Sequence, residues 1–317
     1  MAILARARLK PRQQQTKIPI DWRDTFKQMR KQWSAYVFLS PWFILFLIFT
    51  LFSVSFSFYI SFREWNVLEP AKPWVGLENY LRLFKDEKFF QSLWNTLLFT
   101  GFGVPLGMAS GLLVALLLNT KVRGQSLFRT FYYIPVITPL VVSSVIWKWI
   151  YQGDYGLLNY YMLKFGLIKE KLLWLADPDL AMPALIIMGV WMGTGGIMVM
   201  YLAGLQSIPE ELYDAAKVDG ANGLQRMLYV TVPLLAPTTF YVLITSIIGS
   251  FQAFAHIYIM TNGGPLGRTT VIGYYVYQKG FRHFEMGYAS AMAYVLFAMI
   301  FVFTLIQMKF VKGDIQY

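Results

Sequence analysis

Residues 207–233 read SIPEELYDAAKVDGANGLQRMLYVTVP, and no charged side chain occurs between Asp179 and Glu210 before them or between Arg226 and Arg268 after them. A polar, acidic stretch punctuated by Gly220 and Gly223 between two long neutral runs is a loop of a membrane protein, with something to dock against. The same pattern extends outward. Charge is also absent between Lys31 and Arg63, Lys88 and Lys121, Arg129 and Lys148, and Glu285 and Lys309, and the shortest of the six neutral runs has 18 residues. A helix needs roughly 20 apolar residues to cross the hydrocarbon core. A charge at its centre costs about 2.5–3.5 kcal/mol. The pattern therefore predicts an all-α integral membrane protein with spans at about 35–61, 92–118, 131–151, 182–205, 234–258 and 286–307. Barrel strands, which alternate polar and apolar residues over about 10 positions, are not expected.

Composition agrees. Of the 317 residues 56% are hydrophobic and 14% charged, against about 25% charged in soluble domains. The net charge of +11 reads as topology, not nucleic-acid binding, because no basic run sits on a soluble fold. Nine Lys/Arg precede the first span, which keeps the N-terminus in the cytoplasm by the positive-inside rule. Six spans return the C-terminus to the same side. The chain has no cysteine, hence no disulfide, thiolate metal site or Cys nucleophile. The polar first 33 residues do not form a signal peptide, and the first apolar run reads as a retained signal anchor.

Three regions follow: a basic cytoplasmic tail over 1–33, a six-helix transmembrane domain over 34–310 with the 206–233 loop inside it, and a cytoplasmic tail over 311–317. In the first, Trp22, Phe26, Met29 and Trp33 recur at helical spacing, which predicts an amphipathic helix on the inner leaflet, in contact with lipid. The loop carries helix signals of its own. Ser207-x-x-Glu210 reads as a capping box with Pro209 in the first turn. Glu210 and Glu211 suit the positive end of a helix dipole. Tyr213, Ala216 and Lys217 share a face, Gly220 supplies a turn, and a second helix runs from about Asn222 to Val230.

The loop resembles the cytoplasmic coupling loop of binding-protein-dependent ABC import permeases, the EAA signature. Asp214-Ala215-Ala216 stands for Glu-Ala-Ala, Gly220 follows at the family's offset, and Val230 and Val232-Pro233 stand for Ile and Leu-Pro. Gly76-Leu77-Glu78-Asn79-Tyr80 and Thr261-Asn262-Gly263-Gly264-Pro265 are similar to stretches of the carbohydrate-uptake type, the maltose, lactose and glycerol-phosphate permeases. The resemblance implies the type I importer fold in the bacterial or archaeal inner membrane. It implies a second permease, two copies of an ATP-binding subunit that hold ATP and Mg, and an extracytoplasmic solute-binding protein. Glu210, Glu211, Tyr213, Asp214, Ala215, Ala216, Asp219 and Gly220 would then meet the ATPase. This chain itself would be no enzyme and hold no cofactor or metal. Gly101-Phe102-Gly103 is followed by no Lys-Ser/Thr, so it fails as a phosphate loop and reads as a helix–helix contact.

No Asp, Glu or Arg lies near a span centre, and His256 lies near an end and reads as interfacial or packed. That weighs against the alternative of an ion-coupled carrier or channel working without an ATPase. Gly189, Gly193 and Gly196 leave one face of the fourth span bare, which suits close packing or a cavity. Ser246, Gly249, Ser250 and Ala253 share a face of the fifth. By resemblance to the maltose permease these residues, with Met192, line the substrate pathway, and small groups there imply a saccharide larger than a disaccharide. Gln252, Phe251 and Phe254 are neighbouring candidates for hydrogen bonding or stacking.

Overall fold

The computed structural model describes residues 29–120 and 123–310. The predicted amphipathic helix lies outside them except for its last residues, as does the 311–317 tail. Among the described residues the chain is helical, with two isolated bridges, Arg63 to Trp74 and Asn66 to Glu285, in place of a sheet. Two compact units, Met1–Phe56 and Ser57–Tyr317, divide inside the first long helix, α1 (Trp33–Ser61). In the first unit, Trp33–Leu45 and the π-helical Phe46–Phe52 bury no residue. A helix that is apolar all round satisfies its backbone internally and needs an apolar surrounding for its side chains.

The second unit holds α2 (Glu78–Leu83), α3 (Glu87–Leu118), α4 (Gln125–Ile137), α5 (Leu140–Ile150) and α6 (Leu157–Lys164). These are followed by α7 (Ala181–Gln206), α8 (Glu210–Val218), α9 (Gly223–Leu234), α10 (Ala236–Phe251), α11 (Ala255–Met260), α12 (Ile272–Tyr277) and α13 (Met286–Phe310). Helices α1, α3, α7 and α13 are long and apolar enough to cross a membrane. The bent pairs α4–α5, at 97°, and α9–α10, at 62°, raise the number to six if each is one span.

Two expected spans are broken. The run 131–151 starts a turn and a half early, at Gln125, and bends at Thr138-Pro139. Pro139 has no N–H and its ring drives the preceding residue out of the helical region. Thr138 accordingly has φ −75° and ψ 130°, and its hydroxyl donates to the Ile134 carbonyl at 2.8 Å. The run 234–258 ends its helix at Phe251 and restarts at Ala255. There the backbone of α12 comes so close that a Cβ on Gly273 would sit 2.7 Å from the Ala253 carbonyl oxygen.

Helices α3 and α7 form the central pair. A side chain on Gly111 would overlap Ile197, and one on Gly107 would touch its Cδ1 at 3.5 Å. Ser110 and Thr194 share a hydrogen bond of 2.8 Å between them. Close approach therefore depends on Gly111, with Gly107 in ordinary contact, whereas Gly101 and Gly103, expected to make it, would meet nothing within 4 Å. Glycine on the contact face lets two helices approach until dispersion and short polar contacts hold them. At the other α7 face a Cβ on Gly195 would overlap the Tyr132 carbonyl of α4.

The segments outside the long helices are pinned by buried amides. Asn79 donates to the carbonyls of Ser61 and Arg63, both at 2.9 Å, which fastens the 62–77 loop. Asn95 donates to Gly267 and Thr270 carbonyls at 2.8 and 2.9 Å, which fastens the 261–271 loop to α3. Asp86 caps α3 through the Lys88 and Phe89 N–H groups and accepts 2.6 Å hydrogen bonds from the Tyr275 and Tyr288 hydroxyls.

Candidate functional site: a loop lever and a central cavity

The 207–233 segment folds as two short helices. The capping box expected at Ser207–Glu210 does not form: the Ser207 hydroxyl donates to the Gly204 carbonyl at 2.7 Å, and α8 begins after Pro209 with no side-chain cap. A capping box forms instead at the start of α9, where Asn222 accepts from the Gln225 N–H at 2.9 Å and Gln225 accepts from the Asn222 N–H at 2.8 Å. Between the helices Gly220 has φ +79°. The Ala221 N–H bonds the Ala216 carbonyl at 2.9 Å and the Gly220 N–H bonds the Lys217 carbonyl at 3.0 Å. This is a Schellman ending, whose left-handed position favours glycine.

Tyr213 and Ala216 turn inward and are half-buried, while Glu210, Glu211, Asp214, Ala215, Asp219 and Gly220 are exposed. Lys217, expected to share a face with these two, instead pairs with Asp214 at 2.7 Å on the outside. The Tyr213 hydroxyl lies 3.1 Å from the Thr231 hydroxyl, and Ile208 and Leu235 are buried with Leu118, Tyr201 and Leu205. The loop is thus seated on the ends of α3 and α7. A Cβ on Gly204 would come within 2.9 Å of Thr238 Cγ2, so α7 and α10 also cross closely at the loop's base. Away from this seat Val218 is 88% and Tyr229 77% exposed, large groups with no cover among the described residues.

The second feature is a cavity of about 580 Å³ between α3, α7, α10 and the α4–α5 break. Gly189, Met192, Gly193, Ser246, Gly249, Ser250, Gln252 and Ala253 all line it, while Gly196 does not. The bare glycine face resolves into two uses: a Cβ on Gly193 or Gly249 would meet nothing within 4 Å, whereas Gly195, between the residues singled out, makes the close helix contact. Ser250 shares a 2.9 Å hydrogen bond with Thr100. Phe251, proposed as a neighbour, is buried elsewhere against Phe303, but Phe254 is on the wall.

Sequence reasoning missed the α3 wall, Phe99, Gly103 and Gly107. The four-residue spacing of Gly103, Gly107 and Gly111 was the available signal. His256, expected to be interfacial or packed, is packed, 8% exposed and 5.3 Å from the Phe99 ring; it also lines the cavity, and its Nε2 has no hydrogen-bond partner among the described residues. Among the described residues no Asp, Glu, Lys or Arg is on the wall. Among the described residues no cluster of three or more metal-ligating groups occurs.

The profile of the family described as binding-protein-dependent transport system inner membrane component matches residues 103–313, which include the loop and all of the cavity wall except Phe99. The chain belongs to this family. The permease is 38% identical over 280 residues to the probable ABC transporter permease protein YesP of Bacillus subtilis, covering 87% of this chain and 89% of that one. It is 35% identical over 292 residues to the arabinooligosaccharides transport system permease protein AraP of the same organism, covering 91% of each. Its fold matches a chain of the bacterial alginate ABC transporter solved in complex with alginate pentasaccharide-bound periplasmic protein. The TM-score is 0.77 at 24% identity, over 89% of this permease and 95% of that chain. The permease is accordingly the multi-pass membrane component of an ABC importer.

Proposed function

We propose that the permease passes an uncharged oligosaccharide across the inner membrane by alternating access, driven through the 207–233 loop by an ATP-binding subunit. The cavity carries the reading. Its volume of about 580 Å³ lies within the roughly 300–1,000 Å³ of small-molecule sites. Its polar groups are the neutral Ser246, Ser250, Gln252 and His256, which suit hydroxyls and offer no cation to a phosphate or carboxylate. Relatives named for arabinooligosaccharides, trehalose and maltose, and lactose support the same class.

In this reading six spans leave both termini in the cytoplasm, and the loop lies on the ATPase side. The exposed Glu210, Glu211, Asp214, Ala215 and Asp219, with Val218, form the docking face, and the inward Tyr213 and Ile208 pass the displacement to α3, α7 and α10. A rigid-body motion of the seated loop re-aims the helices that wall the cavity. The working unit has two permeases, the second a different chain, and two ATPase copies, which hold ATP and Mg. A solute-binding protein delivers the sugar from outside.

Purification from the native host in mild detergent, with mass spectrometry of everything retained, tests this directly. Recovery of an ATP-binding subunit and a second multi-span permease is the expected result. Isolation of this chain alone as a stable particle that transports unaided would overturn it.

A further inference from the structure

The cavity wall continues beyond Phe254 into a run of aromatic rings. Phe254 stacks on Tyr258 at 5.7 Å with an interplanar angle of 8° and lies 4.9 Å from Tyr277. Tyr277 stacks on Phe281 at 5.7 Å and 22°, and Tyr258 and Tyr277 are 5.3 Å apart. The order follows from helical spacing, since each stacked pair is separated by four residues. Behind the rings Tyr274 is fully buried, its hydroxyl donating to Asn262 at 2.7 Å.

Exposure grows along the run. Phe254 and Tyr277 are half-buried, Tyr258 is 36% exposed and Phe281 63% exposed. The Arg282 guanidinium stands 5.5 Å from the Tyr258 ring centre and 5.9 Å from that of Tyr277. A guanidinium beside phenol rings is also what an interfacial aromatic belt presents, so it is the continuity with the cavity wall through Phe254 that points to a saccharide here. A pyranose has the matching chemistry: a flat face of C–H groups with partial positive charge, which the negative face of an aromatic ring attracts, and a rim of hydroxyls for the guanidinium group.

We propose that Phe254, Tyr258, Tyr277 and Phe281 form an entry subsite that stacks successive pyranose rings and hands them to the cavity. This rests on the saccharide reading above and adds to it a site and the feature recognised there, the sugar face. Stacking tolerates different hydroxyl patterns, so the subsite conveys the sugar while the cavity and the binding protein select it.

The test uses the whole importer, purified with its partner subunits, reconstituted in vesicles and supplied with its binding protein. Radiolabelled malto-oligosaccharides from maltose to maltoheptaose, with cellotriose and xylotriose, are the probes. If the native complex accumulates none of them on ATP addition, the saccharide reading falls and this proposal with it. For a sugar that is accumulated, Phe281→Leu and Tyr258→Leu are expected to lower uptake per complex about two- to tenfold each, more for longer chains, with basal ATP hydrolysis unchanged. Phe281→Tyr and Tyr258→Phe, which keep the ring, should retain native uptake. Native uptake by the Leu variants, equal loss in the ring-preserving variants, or a loss that follows reduced recovery of assembled complex would each overturn the subsite. The last outcome would make these rings a subunit contact.

Discussion

The hydroxyl of Tyr213 lies 3.1 Å from that of Thr231 and ties α8 to the foot of α9 across the whole loop. Such a bond contributes about 0.5–1.5 kcal/mol, small for folding but placed where a push would have to be transmitted. Tyr213→Phe and Thr231→Val should each lower the sugar moved per ATP hydrolysed in vesicles while leaving the complex assembled. The double variant should be no worse than either single, since both remove the same bond.

Gly220 is held at φ +79° by the Schellman hydrogen bonds on either side of it. A β-branched side chain there meets the left-handed penalty of about 1–2 kcal/mol. Gly220→Val should distort the turn and weaken retention of the ATP-binding subunit on a column, while Gly220→Asn, which tolerates that conformation, should retain it.

The glycines of α7 should separate by function. Gly193→Trp and, on α10, Gly249→Leu extend into open space and should reduce uptake at least about tenfold, because the added volume occupies the cavity, with normal recovery of the assembled complex. Gly195→Leu would overlap the Tyr132 carbonyl and should lower the yield of folded protein by a clash costing about 1–3 kcal/mol. Equal behaviour of the two classes would contradict the assignment.

Asp86 gives a pH dependence outside the membrane-spanning helices. Its partial burial works to raise the pKa, but hydrogen bonds from Tyr275, Tyr288 and the Phe89 and Lys88 N–H groups outweigh it and hold the carboxyl below the ordinary 3.8. A depressed folded value means stability that is fully present above the unfolded value and lost as pH falls below about 3.8 through the folded one. Asp86→Asn should lower the melting temperature of the detergent-solubilised protein at neutral pH, by loss of charge-assisted bonds typically worth about 1–3 kcal/mol. The difference from native should shrink as the pH is lowered below 3.8. A constant difference across that range would remove the carboxylate from the explanation.

What the sequence determined by itself follows from local rules. Charge-free runs long enough to cross hydrocarbon mark the apolar helices, because a charge there has no solvent. The offsets from Asp214 through Gly220 to Pro233 mark the loop, because a left-handed turn and a helix start each demand particular residue types. Eight of the nine residues that the resemblance to the maltose permease implies for the pathway meet at one cavity, and those that share a helix face stay together wherever the helix goes. Tertiary structure decided what depends on which helix lies opposite. Gly193 and Gly195 are two residues apart on the same helix, yet one faces empty space and the other the Tyr132 backbone. His256 and Phe99 meet across more than 150 residues of chain to complete the wall. A glycine carries no mark of whether its missing side chain leaves room for a neighbouring helix or for a cavity; only the packed neighbour supplies it.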